Sequence, residues 1–172
     1  MNRVGHPADA LEEFHTGEKA QGLKWLKQNP ANIEKLHPFQ RKAIVATELA
    51  IIKGKRAMLL AMATGTGKTF TTVSQIYRLL ESKAVRRILF LFDRRALAAQ
   101  AVREFAAFNT PAGNKFDREY EVYSQRFHKQ DFGDEKPFDP KVLPNEYLTS
   151  PRATQTFVYI SKIQRMTVNL FG

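Results

Sequence analysis

Residues 63–69 read Ala-Thr-Gly-Thr-Gly-Lys-Thr, a combination suited to holding the phosphates of a nucleotide. Glycines let successive backbone N–H groups converge on phosphate oxygens, and the N-terminus of a following helix adds a favourable dipole. In such a loop Lys68 reaches the β- and γ-phosphates, while the Thr69 hydroxyl completes the shell of Mg²⁺. Met62 stands where the usual pattern has its first glycine. We therefore predict a site for a nucleoside triphosphate and Mg²⁺ in which Lys68 and Thr69 are the catalytic residues.

The segments on either side of this loop indicate how it is held. An apolar run over residues 57–62 precedes it and predicts a strand. After it, apolar residues recur at helical spacing, which predicts a helix ending near residue 81. A strand, a glycine loop and a helix in this order favour a phosphate loop over a Gly/Thr-rich turn with a solvated lysine.

Gln40 is the candidate for recognition of the base. Its amide can accept from the N6 amino group of adenine and donate to N7. Pro38 suits the first turn of a helix that we predict to run to Lys53, with Gly54 as its stop. A lone glutamine at such a position is usually a helix-surface residue, but the loop downstream favours adenine recognition. The inward face of this helix is predicted to include Ala43, Thr47, Ala50 and Ile51.

Further elements follow from the pattern of apolar residues. Short apolar runs predict strands over residues 87–93, 120–123 and 156–161. Helical patterns cover residues 9–28 and 95–108, and Gly17 and Gly22 interrupt the first of these; a short helix or a turn is predicted at 163–171. The inward face of the 95–108 helix is predicted to carry Leu97, Ala101, Phe105 and Phe108. Strands that alternate with helices predict an α/β fold with a parallel sheet.

Composition and charge narrow the class of protein. The chain has 172 residues, of which 43% are hydrophobic and 26% charged, as is typical of a globular domain. Cysteine is absent, the histidines show no metal-ligand spacing, and the N-terminus lacks an apolar signal core. The net charge is +10, and residues 51–110 carry most of the excess. This basic third indicates a polyanionic partner, although a solvated basic surface explains the charge equally well.

Four stretches together resemble the first motor domain of superfamily 2 helicases and translocases. They are residues 36–44, 60–69, 89–97 and 157–166. The likeness is greatest to the restriction (motor) subunit of type I restriction-modification enzymes. The Asp-Arg-Arg-Ala-Leu run over 93–97 is more particular to that subunit than the phosphate loop, which many ATPases share.

The resemblance implies a RecA-like P-loop NTPase fold, with a parallel sheet flanked by helices. Residues 36–172 would form the N-terminal part of the first motor domain, and residues 1–35 a helical lead-in. ATP would be held with Mg²⁺ by Gln40, Gly65, Thr66, Gly67, Lys68 and Thr69, and Thr69 would contact the metal. DNA would be contacted by Arg94, Arg95 and Lys162, although the family commonly has threonine at position 162.

The resemblance also implies the setting in which the chain works. The parent enzyme would pump double-stranded DNA before cleaving it, in a bacterial or archaeal cytoplasm, together with methylation and specificity subunits. Hydrolysis in such motors needs an Asp-Glu pair at a strand end. The only such pair, Asp134-Glu135, follows no apolar strand. We therefore expect this chain to end before the true motif, and to bind ATP without hydrolysing it.

Two other interpretations remain open at this stage. The chain could be a non-catalytic basic module that binds DNA and keeps the loop as a structural relic. It could instead come from another superfamily 2 DNA or RNA helicase. Residues 93–95, Asp-Arg-Arg, argue against an RNA helicase, because those proteins commonly have Pro-Thr-Arg-Glu there.

Overall fold

The structure is a computed structural model that describes residues 7–124, 141–144, 146–150, 152 and 154–164. Its helices are α1 (Pro7–Gln28), α2 (Pro38–Ile52), α3 (Lys68–Glu81), α4 (Arg95–Ala107), α5 (Phe116–Glu119) and α6 (Glu146–Thr149). Its strands are β1 (Arg87–Phe92), β2 (Glu121–Ser124) and β3 (Phe157–Lys162). Within the described residues, no helix is both long and apolar enough to cross a membrane.

The three strands form one parallel sheet in the order β1-β3-β2. The last strand in sequence, β3, is therefore the central one, and the side chains along most of its length are buried. Its run of β-branched and aromatic residues is what a strand covered on both faces requires. The predicted α/β class with a parallel sheet flanked by helices is confirmed, as are the three strands after residue 86.

The two faces of β3 contribute to different apolar clusters. Val158 and Ile160 face the main core, which α2, α3, α4 and α5 complete. Phe157 and Tyr159 face a smaller cluster on the other side of the sheet. Aromatic rings dominate the main core, and the Phe105 and Phe116 rings meet edge to face, 4.9 Å apart. Burial of this kind contributes most of the stability of a small domain.

The predicted strand over residues 57–62 is wrong. The segment pairs with no strand among the described residues, and the side chain of Leu59 is 95% exposed. A strand exists only through the ladder it makes with a neighbour. The described part of the chain places no strand beside this segment, so its apolar side chains stay largely exposed.

Two predicted helix faces need correction. The buried residues of α2 are Gln40, Ile44 and Glu48, whereas the predicted Ala43, Thr47, Ala50 and Ile51 are only partly buried. The buried face was predicted wrongly because two of its three residues, Gln40 and Glu48, are polar and are buried through specific partners. In α4, Leu97 is exposed, while Ala101, Phe105 and the following Phe108 are buried as predicted.

Helix α1 is continuous through both of its glycines, contrary to the predicted interruption. Gly22 lies against the turn that follows α3, and a β-carbon there would come within 2.5 Å of Ser82 O and Ala84 N. Glycine at this position therefore permits a close approach of helix and backbone. Arg86 adds an ion pair to Glu18. The separation of residues 1–35 from 36–172 stays a prediction. The predicted helix or turn at 163–171 lies largely outside the described residues, and Asp134-Glu135 lies wholly outside them.

Candidate nucleotide site

The loop over residues 63–67 has the backbone shape of an anion cradle. Gly65 and Gly67 have φ values of +79° and +72°, which side-chain-bearing residues rarely adopt. Gly67 caps α3, and its carbonyl accepts the hydrogen bond of Thr71 N at 2.9 Å. The amides of residues 68–70 in the first turn of α3 have no carbonyl one turn earlier in the helix, so they are available to an anion at the helix N-terminus.

Lys68 lies over the loop that precedes it. Its Nζ donates to Met62 O at 3.3 Å and to Ala63 O at 3.4 Å. The hydroxyl of Thr66 donates to the same Ala63 carbonyl at 2.7 Å. The lysine is exposed, so these contacts are ones that a phosphate oxygen can replace at small cost. The structure thus places the ammonium group beside the cradle that the sequence predicted for it.

Gln40 is buried and joins the start of α2 to the loop. Its Oε1 accepts from His37 N at 2.9 Å, which is one half of a capping box. Its Nε2 donates to Thr66 O, also at 2.9 Å. Gln40 and the loop are therefore in direct contact, and that they form one nucleotide site stays a prediction. Recognition of adenine by Gln40 stays a prediction, since the amide in this structure faces the loop.

The residues present fit a triphosphate and a hard cation. Thr69 is the second residue of α3, so its hydroxyl is at the end of the helix that faces the loop. An ammonium, a hydroxyl and unpaired helix amides are the donor set that phosphate and Mg²⁺ require. In the described part of the chain, no group of three or more histidines and carboxylates could hold a metal ion. At the loop itself, the Thr69 hydroxyl is a ligand that would suit Mg²⁺ carried by the nucleotide.

The sequence prediction missed a buried ion pair behind the site. Arg78 Nε of α3 lies 2.6 Å from Glu48 Oε1 of α2, and both side chains are almost completely buried. A signal was present, because Arg78 interrupts the apolar stripe of α3 and Glu48 shares a helix face with Gln40. Two opposite charges at inward positions on neighbouring helices indicate a buried pair.

The residues predicted to contact DNA lie at or just after the carboxyl ends of two strands, β1 and β3. Phe92 pairs with Lys162, so the carboxyl ends of β1 and β3 are side by side. Arg94 follows β1 as the N-cap of α4; its side chain is 81% exposed, with Asp93 3.7 Å away. Arg95 is the first residue of α4, and its side chain lies outside the described structure. Contact of these residues with DNA stays a prediction.

Comparison with known proteins identifies several relatives of this chain. The type I restriction enzyme EcoKI endonuclease subunit of Escherichia coli strain K12 is 44% identical over 101 residues. The EcoAI endonuclease subunit of Escherichia coli is 42% identical over 90 residues. The UvrABC system protein B of Protochlamydia amoebophila strain UWE25 is 36% identical over 86 residues.

The matched regions cover 58%, 49% and 46% of this chain, respectively, but only 9%, 11% and 12% of the relatives. The chain thus corresponds to a small part of each relative. No solved structure matches it. A family model described as "Type III restriction enzyme, res subunit" matches residues 33–170, which includes the loop, Gln40 and the three strands. The resemblance to restriction subunits predicted from the sequence is therefore confirmed, and the chain belongs to this res-subunit family of restriction enzymes.

Proposed function

We propose that this chain is the ATP-binding part of a DNA-translocating motor in a type I restriction endonuclease. The observation that carries the proposal is the contact between Gln40 and the glycine loop. It joins a possible base reader to a phosphate cradle across 26 residues of sequence. Membership of the restriction family and similarity to two type I endonuclease subunits support the same role.

Each residue of the site has a definite task in this proposal. The amides over residues 65–69 bind the phosphate oxygens, and Lys68 gives up its carbonyl contacts to neutralise the β- and γ-phosphates. Thr69 supplies a hydroxyl ligand to Mg²⁺, which would offset the charge of the phosphates. Gln40 keeps the loop in shape through its contacts with His37 N and Thr66 O, and it would contact the adenine base when the nucleotide is bound.

DNA is bound in this proposal by three basic residues beside the carboxyl ends of β1 and β3, of which Arg94 is exposed. Arg94, Arg95 and Lys162 would contact the phosphate backbone without reading sequence. The motor would act with methylation and specificity subunits on double-stranded DNA. Sustained hydrolysis by this chain alone is not expected, because its sequence has no Asp-Glu pair after an apolar strand.

Calorimetry with Mg-ATP tests the nucleotide site. We expect saturable binding that needs Mg²⁺ and is lost in Lys68→Ala. Lys53→Ala is the matched control, since Lys53 is an exposed lysine at the far end of α2. Equal binding by both variants, or no binding by the unaltered chain, would exclude the proposal.

The non-catalytic DNA-binding module is the alternative that the basic residues 51–110 keep open. A titration of duplex DNA with and without a nonhydrolysable ATP analogue separates the two functions. The motor proposal expects the analogue to change DNA affinity, and Arg94→Ala to weaken it and to flatten its salt dependence. A DNA affinity that changes neither with the analogue nor with the Lys68→Ala substitution would favour the DNA-binding module.

A further inference from the structure

We propose that Arg78 is a positioning residue that couples the end of α1 to the nucleotide loop. The inference rests on the proposed function, because it assigns a means of control to that site. It arises from one buried guanidinium that contacts three separate parts of the chain. The parts are α2, the segment after α1, and the indole ring on the last turns of α1.

The first contact is a two-pronged ion pair with α2. Arg78 Nε donates to Glu48 Oε1 at 2.6 Å, and Nη2 donates to Glu48 Oε2 at 2.9 Å. Gln75 Nε2 lies 3.4 Å from the same carboxylate. A paired fork of this kind fixes direction as well as distance. It therefore sets how α3 lies on α2.

The second contact is with the backbone where α1 ends. Arg78 Nη2 donates to Asn29 O at 2.8 Å, and Nη1 donates to Pro30 O at 3.0 Å. The guanidinium carbon lies 5.5 Å from the centre of the Trp25 ring. The same planar group thus holds α2 through a carboxylate and α1 through two carbonyls and an aromatic face. Lysine could not reproduce this geometry, because its ammonium is a compact point charge.

These contacts lead to the loop along two helices. Helix α3 begins at Lys68, so its far end is fixed by Arg78 and its near end forms the phosphate cradle. Helix α2 carries Glu48 and Gln40 on one buried face, and Gln40 holds Thr66 O. The first turn of α2 is therefore joined to the loop that precedes α3, and Glu48 of α2 is joined to Arg78 of α3. A displacement of residues 29–30 would move Arg78, turn α3 against α2, and alter the contact between Gln40 and the loop.

A purely stabilising role would not require this arrangement. Replacement of a buried ion pair by apolar side chains is often neutral or favourable for stability. The network instead assigns a separate partner to almost every N–H group of the guanidinium, which gives it a directional function. Coupling between two sites is expressed as a change in affinity at one when the other is altered.

The test compares Arg78→Lys with Phe116→Leu in the full chain. Phe116 is fully buried in the main core; its ring meets Tyr77 of α3, but it makes none of the hydrogen bonds of the Arg78 network, so it reports a loss of core packing. Hydrogen exchange at the amides of residues 63–69 and calorimetric affinity for Mg-ATP are measured at a temperature where both variants are folded. We expect Arg78→Lys to accelerate exchange in the loop and to weaken ATP binding about tenfold. Phe116→Leu should leave both within about twofold of the unaltered chain, because it removes none of the hydrogen bonds that join Arg78 to α2 and to residues 29–30.

Loop exchange and ATP affinity in Arg78→Lys that match those of Phe116→Leu would overturn the inference. If Arg78→Lys shows no cooperative melting, Glu48→Gln takes its place, because glutamine keeps the shape of the glutamate side chain. Its loop exchange and ATP affinity are then compared with those of Phe116→Leu. If the unaltered chain fails to bind ATP, the proposed function fails. Faster exchange confined to the loop in Arg78→Lys would then still support the coupling, and unchanged exchange would refute it.

Discussion

The side-chain amide of Gln40 occupies the space that a β-carbon on Gly67 would need. A carbon built there would lie 2.6 Å from Gln40 Nε2. Gly67 also has a φ of +72°, so two separate constraints require glycine at this position. Gly65 shares the positive φ but has open space around it. The two glycines therefore separate the effect of backbone strain from the effect of a collision.

Gly67→Ala should impair the site more than Gly65→Ala. The change at 65 adds only the cost of a left-handed alanine, about 1 kcal/mol, whereas the change at 67 also displaces Gln40. Thermal melting and Mg-ATP calorimetry should show the larger loss for Gly67→Ala. Adding Gln40→Ala to it should recover part of the melting temperature, because the obstructing amide is gone. Equal effects at 65 and 67 would mean that the contact with Gln40 is not important.

Gln40→Glu tests the direction of the hydrogen bond to the loop. The substitution preserves an acceptor for His37 N but places a carboxylate oxygen opposite Thr66 O, where two acceptors repel. We expect Gln40→Glu to have a lower melting temperature and weaker ATP binding than Gln40→Ala. The alanine variant only loses the hydrogen bond to Thr66 O and adds no repulsion. Both variants are compared at neutral pH. A Gln40→Glu protein at least as stable as Gln40→Ala would contradict the assignment of the amide.

Gly22→Ala and Gly17→Ala form a matched pair on α1. The first places a methyl group against Ser82 O and Ala84 N, whereas the second meets nothing within 4 Å. We expect Gly22→Ala to lower the free energy of unfolding by about 2 kcal/mol through overpacking. Gly17→Ala should raise it by up to about 1 kcal/mol, because alanine favours the helix. Urea denaturation measures both, and stabilisation by Gly22→Ala would show that α1 does not lie on the 82–84 turn.

The sequence predicted those parts of the fold whose signal is local. The order Gly-Lys-Thr before an amphipathic stretch indicated where α3 begins, and alternation of strands and helices indicated a parallel sheet. The loop and Gln40 were predicted as one site because their residue types match one ligand. Each of these inferences needs only neighbouring residues or a shared chemistry.

The features that were missed depend on distant partners. Glu48 looks like a surface residue until Arg78, 30 residues later, is placed beside it. Residues 57–62 have the composition of a strand, but a strand also needs a neighbour, and composition does not report one. Gly22 appeared to weaken α1 because the turn it packs against is far away in sequence. Tertiary context decided all three.

Glu48→Leu should destabilise the chain more than the double change Glu48→Leu with Arg78→Met. The single change leaves a buried guanidinium without its carboxylate, which typically costs about 3–5 kcal/mol. The double change removes both charges and should recover much of that loss. Chemical denaturation of the two variants and of Arg78→Met alone completes the cycle. Additive effects would indicate that the two side chains do not interact.

The pH dependence of stability should report on Tyr77. Burial, followed by the charges of Glu81 and Glu119, raises the pKa of Tyr77 to about 12, from 10.0. The neutral phenol is thus favoured in the folded state, so its contribution is complete below pH 10.0 and is lost as pH rises toward about 12. Tyr77→Phe should flatten this decline in urea denaturation between those pH values. An unchanged slope would assign the decline to other groups, such as Tyr120, whose pKa is also raised.

The position of β3 in the sheet determines the order in which this domain can be assembled. Among the described residues, the two outer strands do not pair with each other, and each forms its ladder with Phe157–Lys162. During synthesis, both must remain without a ladder until the ribosome has released that last segment. Helices α2 and α3 make their backbone hydrogen bonds within each helix and need no later strand for them, although their core is complete only when Val158 and Ile160 are added. Nascent chains stopped shortly before residue 157 should therefore carry a formed helical half beside apolar strands that are open to chaperones and to aggregation.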